Sequence, residues 1–351
     1  MRILIPILDF TKSGGFRVLS YLADGLIEKG HDVTFLCSGL AEPYYPTKAK
    51  VIYTPSKYGL KPESLFSKLC CLTMALISAR KHEYDLVVAN HSFTTIPIVL
   101  SSFRAMRFYY IQAYEPDYYR LKKGLFSWIL CQASKVSYHL SFFQIVNAEI
   151  YVRYKSIRAI GVVPPGVNLE IFNSRGRKEY GEKKIIIGSI LRGEESKGSK
   201  YIIEAFRELK NKRPEIGWKF AFVDERFLNK IYGAEIVNPH GDESLSEYYK
   251  GLDIYISAGV SQFGAIHYPV IENMACGTLV ITTPYYPANG SNSIIIEPFS
   301  SSKIVEAIEG ALKLGRDGVI PLRKMALKEA ACFSQERQVD KFEEILLDRM
   351  F

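Results

Sequence analysis

No stretch of this chain approaches the roughly 18 to 20 consecutive apolar residues that a bilayer-spanning helix needs, so nothing in it reads as a membrane-crossing segment. The opening MRILIPILDF is too short an apolar run for a signal peptide, and Asp9 follows at once, so it reads as a first buried strand. Cysteine is sparse and unpatterned: the six, at 37, 70, 71, 131, 276 and 332, lie in apolar settings without metal-ligand spacing. That excludes a zinc module or a disulfide scaffold and fits core thiols in a reducing compartment. The dinucleotide pattern GxGxxG is missing, which disfavours a nicotinamide cofactor, and so is the Walker loop GxxxxGK[ST]. No DxD-type acidic pair suited to holding a metal occurs either, so neither a metal nor an organic cofactor is expected.

What is present is a two-domain quantity of foldable sequence: 351 residues, 48% hydrophobic and 23% charged. The net charge of +8 is uneven, with 23 Lys/Arg against 13 Asp/Glu in residues 1–180 and 22 against 24 in residues 181–351. A basic first half suits an anionic partner such as a membrane surface or a phosphorylated acceptor, and it equally serves solubility. No recognition motif for nucleic acid accompanies it, so nucleic acid is not an expected partner.

Short apolar runs alternate with amphipathic stretches. RILIPIL, HDVTFLCS, YDLVVAN (84–90), RFYYIQ (107–112), FFQIVNA (142–148) and RAIGVVPPG (158–166) read as strands of one half. After the polar NSRGRKEYGEKK (173–184), a second series runs through KIIIGSI (184–190), WKFAFVD (218–224), AEIVNPH, DIYISAG and TLVITT. This β–α–β alternation predicts two doubly wound parallel sheets, with ligands at the carboxyl ends of the strands in a cleft between the halves. The expected division is 1–170, a linker 171–184, a second domain 185–330, and a C-terminal helix 331–351 packing back on the first domain.

Three segments carry groups suited to phosphate. SGGFR brings Gly14 and Gly15 to a strand-to-helix turn, where backbone N–H groups and the helix dipole favour an anion, though a tight turn alone explains the glycines. GSILRGEESKGSKYIIEAF places Gly188 near a strand end and Arg192 and Lys197 in the following loop, a forked donor and a point charge fit to clamp a diphosphate. HYPVIENMACGTLVITT puts His267 before, and Glu272 in the first turn of, a short helix over 269–276 that Gly277 ends. Glu272 there is either a ligand-binding carboxylate or a partner of the helix dipole. His267 is a ligand contact or a helix cap.

These segments, with SLSEYYKGLDIYISAG between the last two, resemble in order and interval the C-terminal domain of retaining glycosyltransferases of family 4, which have the GT-B fold. SGGFRVLSYLADGLIEKGHDVTFL is similar to that family's first β–α–β unit, and VVPPGVNLEIFN (162–173) to its interdomain segment. The resemblance implies two Rossmann-like domains facing a central cleft, the donor nucleotide on the second and the acceptor on the first. It implies that Glu272 accepts hydrogen bonds from the donor ribose, that Arg192 and Lys197 neutralise the diphosphate, and that Gly14 and Gly15 lie near the transferred sugar. One departure stands out. The family commonly has two glutamates, but Gly264 stands eight positions before Glu272, and nothing acidic lies between Asp253 and Glu272. Rhamnosyl-transferring relatives have a similar His-Tyr-Pro form, so the departure bears on the donor sugar, and His267 becomes a candidate contact to sugar or diphosphate.

FYYIQAYEPDYYR (108–120) resembles the same branch, which often carries a VQDYEP-like stretch there. Tyr114, Glu115 and Asp117, on an expected loop, are candidates for acceptor contact, with His91 of ANHSF beside them; an aromatic surface loop and a structural histidine are the competing readings. FSKLCCLTMALISARKH (66–82) and LKKGLFSWILCQASKVSYHL (121–140) read as interfacial helices or as buried core helices. The resemblance implies sugar transfer from a nucleotide diphosphate (UDP, GDP or dTDP) to a glycan or lipid-linked hydroxyl, with retention, in the cytoplasm or at the inner face of its membrane. A non-catalytic sugar-nucleotide binder and a sugar-nucleotide epimerase on the same fold remain as alternatives.

Overall fold

A computed structural model of the chain describes residues 1–54, 63–79, 84–121, 124–182 and 184–350. Their chain contacts divide into two compact units, residues 1–166 with 335–351, and residues 167–334.

Among its described residues the first unit has seven strands: β1 (Arg2–Ile7), β2 (Asp32–Cys37), β3 (Lys50–Tyr53), β4 (Leu86–Ala89), β5 (Met106–Ile111), β6 (Phe143–Val146) and β7 (Ala159–Val162). They pair in parallel in the order β3-β2-β1-β4-β5-β6-β7. Ile3, Phe35, Val87, Phe108 and Ile145 have almost no exposed surface, as a sheet covered on both faces requires. Among its described residues the helices are α1 (Gly14–Glu28), α2 (Leu65–Ala79), α3 (Ser92–Leu100), α4 (Glu115–Leu121) and α5 (Leu125–Ser137), which the chain's final helix joins.

The second unit holds β8 (Ile186–Ile190), β9 (Gly217–Ala221), β10 (Glu235–Val237), β11 (Ile254–Ser257), β12 (Leu279–Thr282) and β13 (Ile294–Ile295). These are again parallel, in the order β10-β9-β8-β11-β12-β13. Around them lie α6 (Ser199–Lys212), α7 (Gly241–Lys250), α8 (Tyr268–Ala275) and α9 (Ser301–Ala330), the last interrupted at Gly315, whose φ is +59°. One face packs Phe206, Trp218 and Phe220, and the other Phe172, Tyr249 and Tyr255.

The final helix, α10 (Gln335–Met350), packs on α1, where a β-carbon on Gly25 would fall 2.3 Å from the Val339 side chain. Lys29 Nζ and His31 Nε2 each lie 2.7 Å from the Glu343 carboxylate, and the Tyr110 and Phe342 rings meet edge to face at 5.3 Å.

The passage between the units falls at 166/167, not within 171–184. That stretch, expected as a linker, contributes to the second unit: Phe172 and Tyr180 are buried, and the Arg177 guanidinium donates to the carbonyls of Tyr249, Lys250 and Leu252. Arg177, half-buried, closes backbone carbonyls of this unit, and Lys183 lies outside the described residues.

Candidate functional site

In each sheet the strand order reverses once, between β1 and β4 and between β8 and β11. Ligands of doubly wound sheets bind beyond the carboxyl ends of the strands that flank such a reversal. In the second unit the loops after β8 and β11 occupy that place, and they carry Arg192, Lys197 and His267.

The β8–α6 loop is held by hydrogen bonds to its backbone carbonyls. Lys197 N donates to Glu194 O at 3.0 Å, Val260 N donates to Ser196 O at 2.9 Å, and Ser199 Oγ donates to Arg192 O at 2.7 Å. Gly198 adopts φ +67°, and a β-carbon there would lie 1.7 Å from the carbonyl oxygen of Ala258, so only glycine fits. The Arg192 guanidinium stands over the Phe222 ring at 5.0 Å, a cation–π contact that orients it. An open depression of about 550 Å³ begins there, lined by Arg192, Gly193, Glu194, Phe222, Asp224 and Arg226. Lys197 is half-buried, and that burial holds its ammonium below the ordinary lysine value; Glu194 opposes the shift and Arg192 adds to it.

Helix α8 starts at Tyr268 with Pro269 in its first turn, where a missing N–H costs nothing. His267 takes the N-cap position by its backbone, but its ring does not cap: Nδ1 lies 3.2 Å from Ser257 Oγ at the end of β11. The ring also stacks on Tyr285, centroids 5.1 Å apart, and the Tyr285 hydroxyl donates to Ser261 O at 2.9 Å. Burial, and secondarily the charge of Lys197, push the imidazole well below its ordinary pKa, so it is neutral at pH 7.

Glu272 is the fifth residue of α8 rather than a member of its first turn, because the helix begins one residue earlier than the proline suggested. It is 1% exposed and accepts a hydrogen bond from Tyr249 Oη of α7 at 3.1 Å. A dipole partner would sit exposed in the first turn; a carboxylate this deep is there for its hydrogen bonds. Gly277, at φ +70°, ends the helix.

The remaining expected residues are placed within their own units. Gly188 is inside β8, as the strand reading of KIIIGSI has it: a β-carbon there would lie 2.6 Å from Leu252 and 2.7 Å from Lys219 O, so the sheet packing requires a glycine here. Gly14 and Gly15 open α1 after β1, and Gln112 Nε2 donates to Gly15 O at 3.3 Å. His91 caps α3, its Nδ1 accepting from Phe93 N at 3.1 Å in a reciprocal box with Thr94. Tyr114, Glu115 and Asp117 are not on an open loop. Glu115 begins α4 and is buried, accepting from Tyr138 Oη, from Tyr109 Oη at 3.3 Å and from Ser92 N at 3.3 Å. Both phenols are pushed far above their ordinary pKa, chiefly by burial, so they remain donors. Tyr114 is buried against Tyr154, centroids 4.0 Å apart, and Asp117 Oδ2 accepts from Tyr154 Oη at 2.7 Å.

Sequence reasoning missed the supporting residues Tyr249, Ser257, Tyr285 and Gly198. A lone serine ending a strand, or one of two adjacent tyrosines in SEYYKG, carries no local signal of its partner. Gly198 had one, a glycine closing the cationic loop just before a helix.

Two family models match the chain: Glycosyltransferase Family 4 over residues 12–171, and Glycosyl transferases group 1 over residues 182–313. No curated protein sequence matches it. Among solved structures, sucrose-phosphate synthase from Thermosynechococcus elongatus superposes with a TM-score of 0.82 at 15% identity, covering 99% of each chain. HepE of Anabaena, in complex with UDP and glucose, gives 0.75 at 14% identity over 99% of this chain and 100% of its own. WaaG, a glycosyltransferase involved in lipopolysaccharide biosynthesis, gives 0.74 at 14% identity over 98% and 99%. With the two family models lying end to end along it and each half built as a parallel-sheet Rossmann-like domain, the chain belongs to the family 4-like glycosyltransferases and has the GT-B fold.

Proposed function

We propose that the protein moves a hexose-type sugar from a nucleoside diphosphate (UDP, GDP or dTDP) to a hydroxyl of a glycan or lipid-linked acceptor, with retention and without a metal. The observation that carries this reading is the assembly at the reversal point of the second sheet: Arg192 and Lys197 on one fixed loop, with neutral His267 and buried Glu272 on α8. Two cations beside each other, one partly desolvated, are costly to keep unless an anion arrives to offset them. HepE was solved with UDP and with UDP-glucose, which supports a nucleoside diphosphate sugar as the donor here.

In this reading the bond between the anomeric carbon and the diphosphate oxygen breaks, and its electron pair leaves with the diphosphate. Arg192 and Lys197 offset that growing charge, and such fixed stabilisation contributes several kcal/mol in a site shielded from water. The acceptor oxygen bonds to the anomeric carbon on the same face, and its proton passes to the departing phosphate, so no protein base is needed. Glu272 accepts from the ribose hydroxyls. His267, with Nδ1 at Ser257, turns its other ring nitrogen to the sugar or diphosphate, in the place of the family's first glutamate. The His-Tyr-Pro form puts the chain nearest the rhamnosyltransferase-like branch. No organic cofactor takes part. The acceptor is met at the basic first unit, with peripheral contact to the inner face of the cytoplasmic membrane; no described helix is long and apolar enough to cross one.

The test is thermal shift across UDP, GDP and dTDP, with nucleotide release from their sugars. Stabilisation by one nucleotide, lost in Arg192→Ala and Glu272→Ala, with turnover of one of its sugars, establishes the reading. Stabilisation without turnover even with membrane lipid extract supports a binding protein, and no shift at millimolar nucleotide overturns both.

A further inference from the structure

Helix α5 is built inside out. Its inward positions are small: Cys131, Ser134 and Ser137 are buried, and Cys131 Sγ lies 3.6 Å from Pro116 O of α4. The large apolar side chains point to solvent, with Leu125 75%, Phe126 68%, Trp128 60% and Ile129 48% exposed. Neighbouring α4 adds Tyr118 and Leu121, so six large apolar groups gather on two packed helices. The reading of this segment as a buried core helix is thereby corrected. Of the companion segment 66–82, residues 80–82 lie outside the described residues, and Leu72 and Leu76 of α2 are buried.

An apolar side chain gains free energy when it leaves water, and a contiguous exposed group of them marks a surface meant to be covered. The charge around it says by what. From Asp117 to the residue before Glu149 the sequence has Arg120, Lys122, Lys123 and Lys135 against Asp117 alone, which pairs with Arg120 at 3.6 Å; 122 and 123 lie outside the described residues. A second copy would set this cationic segment against itself, whereas an anionic lipid surface complements both its charge and its apolar side chains. At 13 residues α5 is too short to span a bilayer and suited to lie in its interface.

We infer that the α4–α5 face is the membrane-seating surface of the protein, with Phe126 and Trp128 entering the headgroup boundary of an anionic bilayer and Arg120 and Lys135 meeting lipid phosphates. This names the surface for the membrane contact proposed above; because it is read without donor or acceptor, its failure leaves the nucleotide shifts untouched.

The experiment uses the full chain with vesicles of phosphatidylglycerol and phosphatidylcholine, against phosphatidylcholine alone. The protein pellets with the anionic vesicles, and its tryptophan emission moves to the blue. The chain has two tryptophans, and Trp218 is buried in the other unit, so the change reports Trp128. Phe126→Gln with Trp128→Gln weakens pelleting by about tenfold or more, because interfacial affinity scales with apolar area inserted. Arg120→Glu weakens it while leaving both aromatics in place. Unchanged melting temperatures in both variants show that the fold is intact. Wild-type protein that ignores anionic vesicles, variants that bind as it does, or a solution dimer that the aromatic variants split each overturns the inference.

Discussion

Gly198 and the carbonyl of Ala258 lie so close that no side chain fits between them. A β-carbon at 198 would stand 1.7 Å from that oxygen, and the residue's φ of +67° is one that side chains resist. The contact locks the loop after β8 to the loop after β11, and the Lys197 charge of the first acts on His267 of the second. Gly198→Ala therefore costs about 2–4 kcal/mol in denaturant unfolding, strain and clash together, and nucleotide stabilisation falls with it. Gly30→Ala is the control: φ is +87° but nothing lies within 4 Å, so the loss stays near 1 kcal/mol. Equal losses at the two positions remove the argument from contact.

Arg192 and Lys197 are predicted to act on turnover more than on folding. Arg192→Ala and Lys197→Ala each lower kcat/KM by roughly 10²–10³, the range for losing one preorganised charge contact. Lys197→Ala should leave the melting temperature unchanged or raised, because burial works against its ammonium in the folded chain. A marked fall in stability at Lys197 with activity retained assigns the lysine to structure instead.

Much of this was legible beforehand, for reasons that also explain the misreadings. β1, β5, β8 and β12 are continuous apolar runs, which a two-faced sheet demands, whereas β3 (KVIY) and the two-residue β13 are edge strands with no such signature. The loop cations were readable because their position after a strand fixes where they lie. Gly188 was readable as a strand residue, but nothing local announces that Leu252 fills the space where its side chain would stand. Glu115 misled because a carboxylate after a strand reads as exposed, and its donors come from Tyr138 and Ser92, both more than twenty residues away. In α5 the small residues recur at the same helical spacing as the large ones, so periodicity gives a two-faced helix without saying which face is inside.

Glu115 separates a structural carboxylate from a binding one. Two phenols that stay protonated and one backbone N–H converge on it, and removing the acceptor leaves buried donors unpaired. Glu115→Ala is expected to cost about 2–4 kcal/mol in urea, with Glu115→Gln milder and donor-nucleotide affinity unchanged in both. A variant stable as wild type but lacking acceptor turnover returns Glu115 to the acceptor site.

His267 sets an acid limit on stability, and the sign follows from which state holds the proton. Burial and the Lys197 charge keep its folded pKa well below the ordinary value, so below about pH 6.5 the unfolded chain takes up a proton that the folded chain refuses. Stability rises with pH wherever the unfolded state binds more protons; this histidine therefore removes stability as pH falls from about 6.5 toward its depressed value, with a slope of at most about 1.4 kcal/mol per pH unit. His267→Asn should flatten that limb in urea titrations between about pH 6.5 and 5. A diphosphate beside the ring acts in the opposite sense, favouring the imidazolium, so nucleotide should stabilise the wild type more at about pH 5.5 than at about 7.5. His267→Asn loses that difference if the ring faces the diphosphate and keeps it if the nucleotide's own phosphate is what titrates. A wild-type and variant pair with the same acid slope shows instead that another group governs the limb.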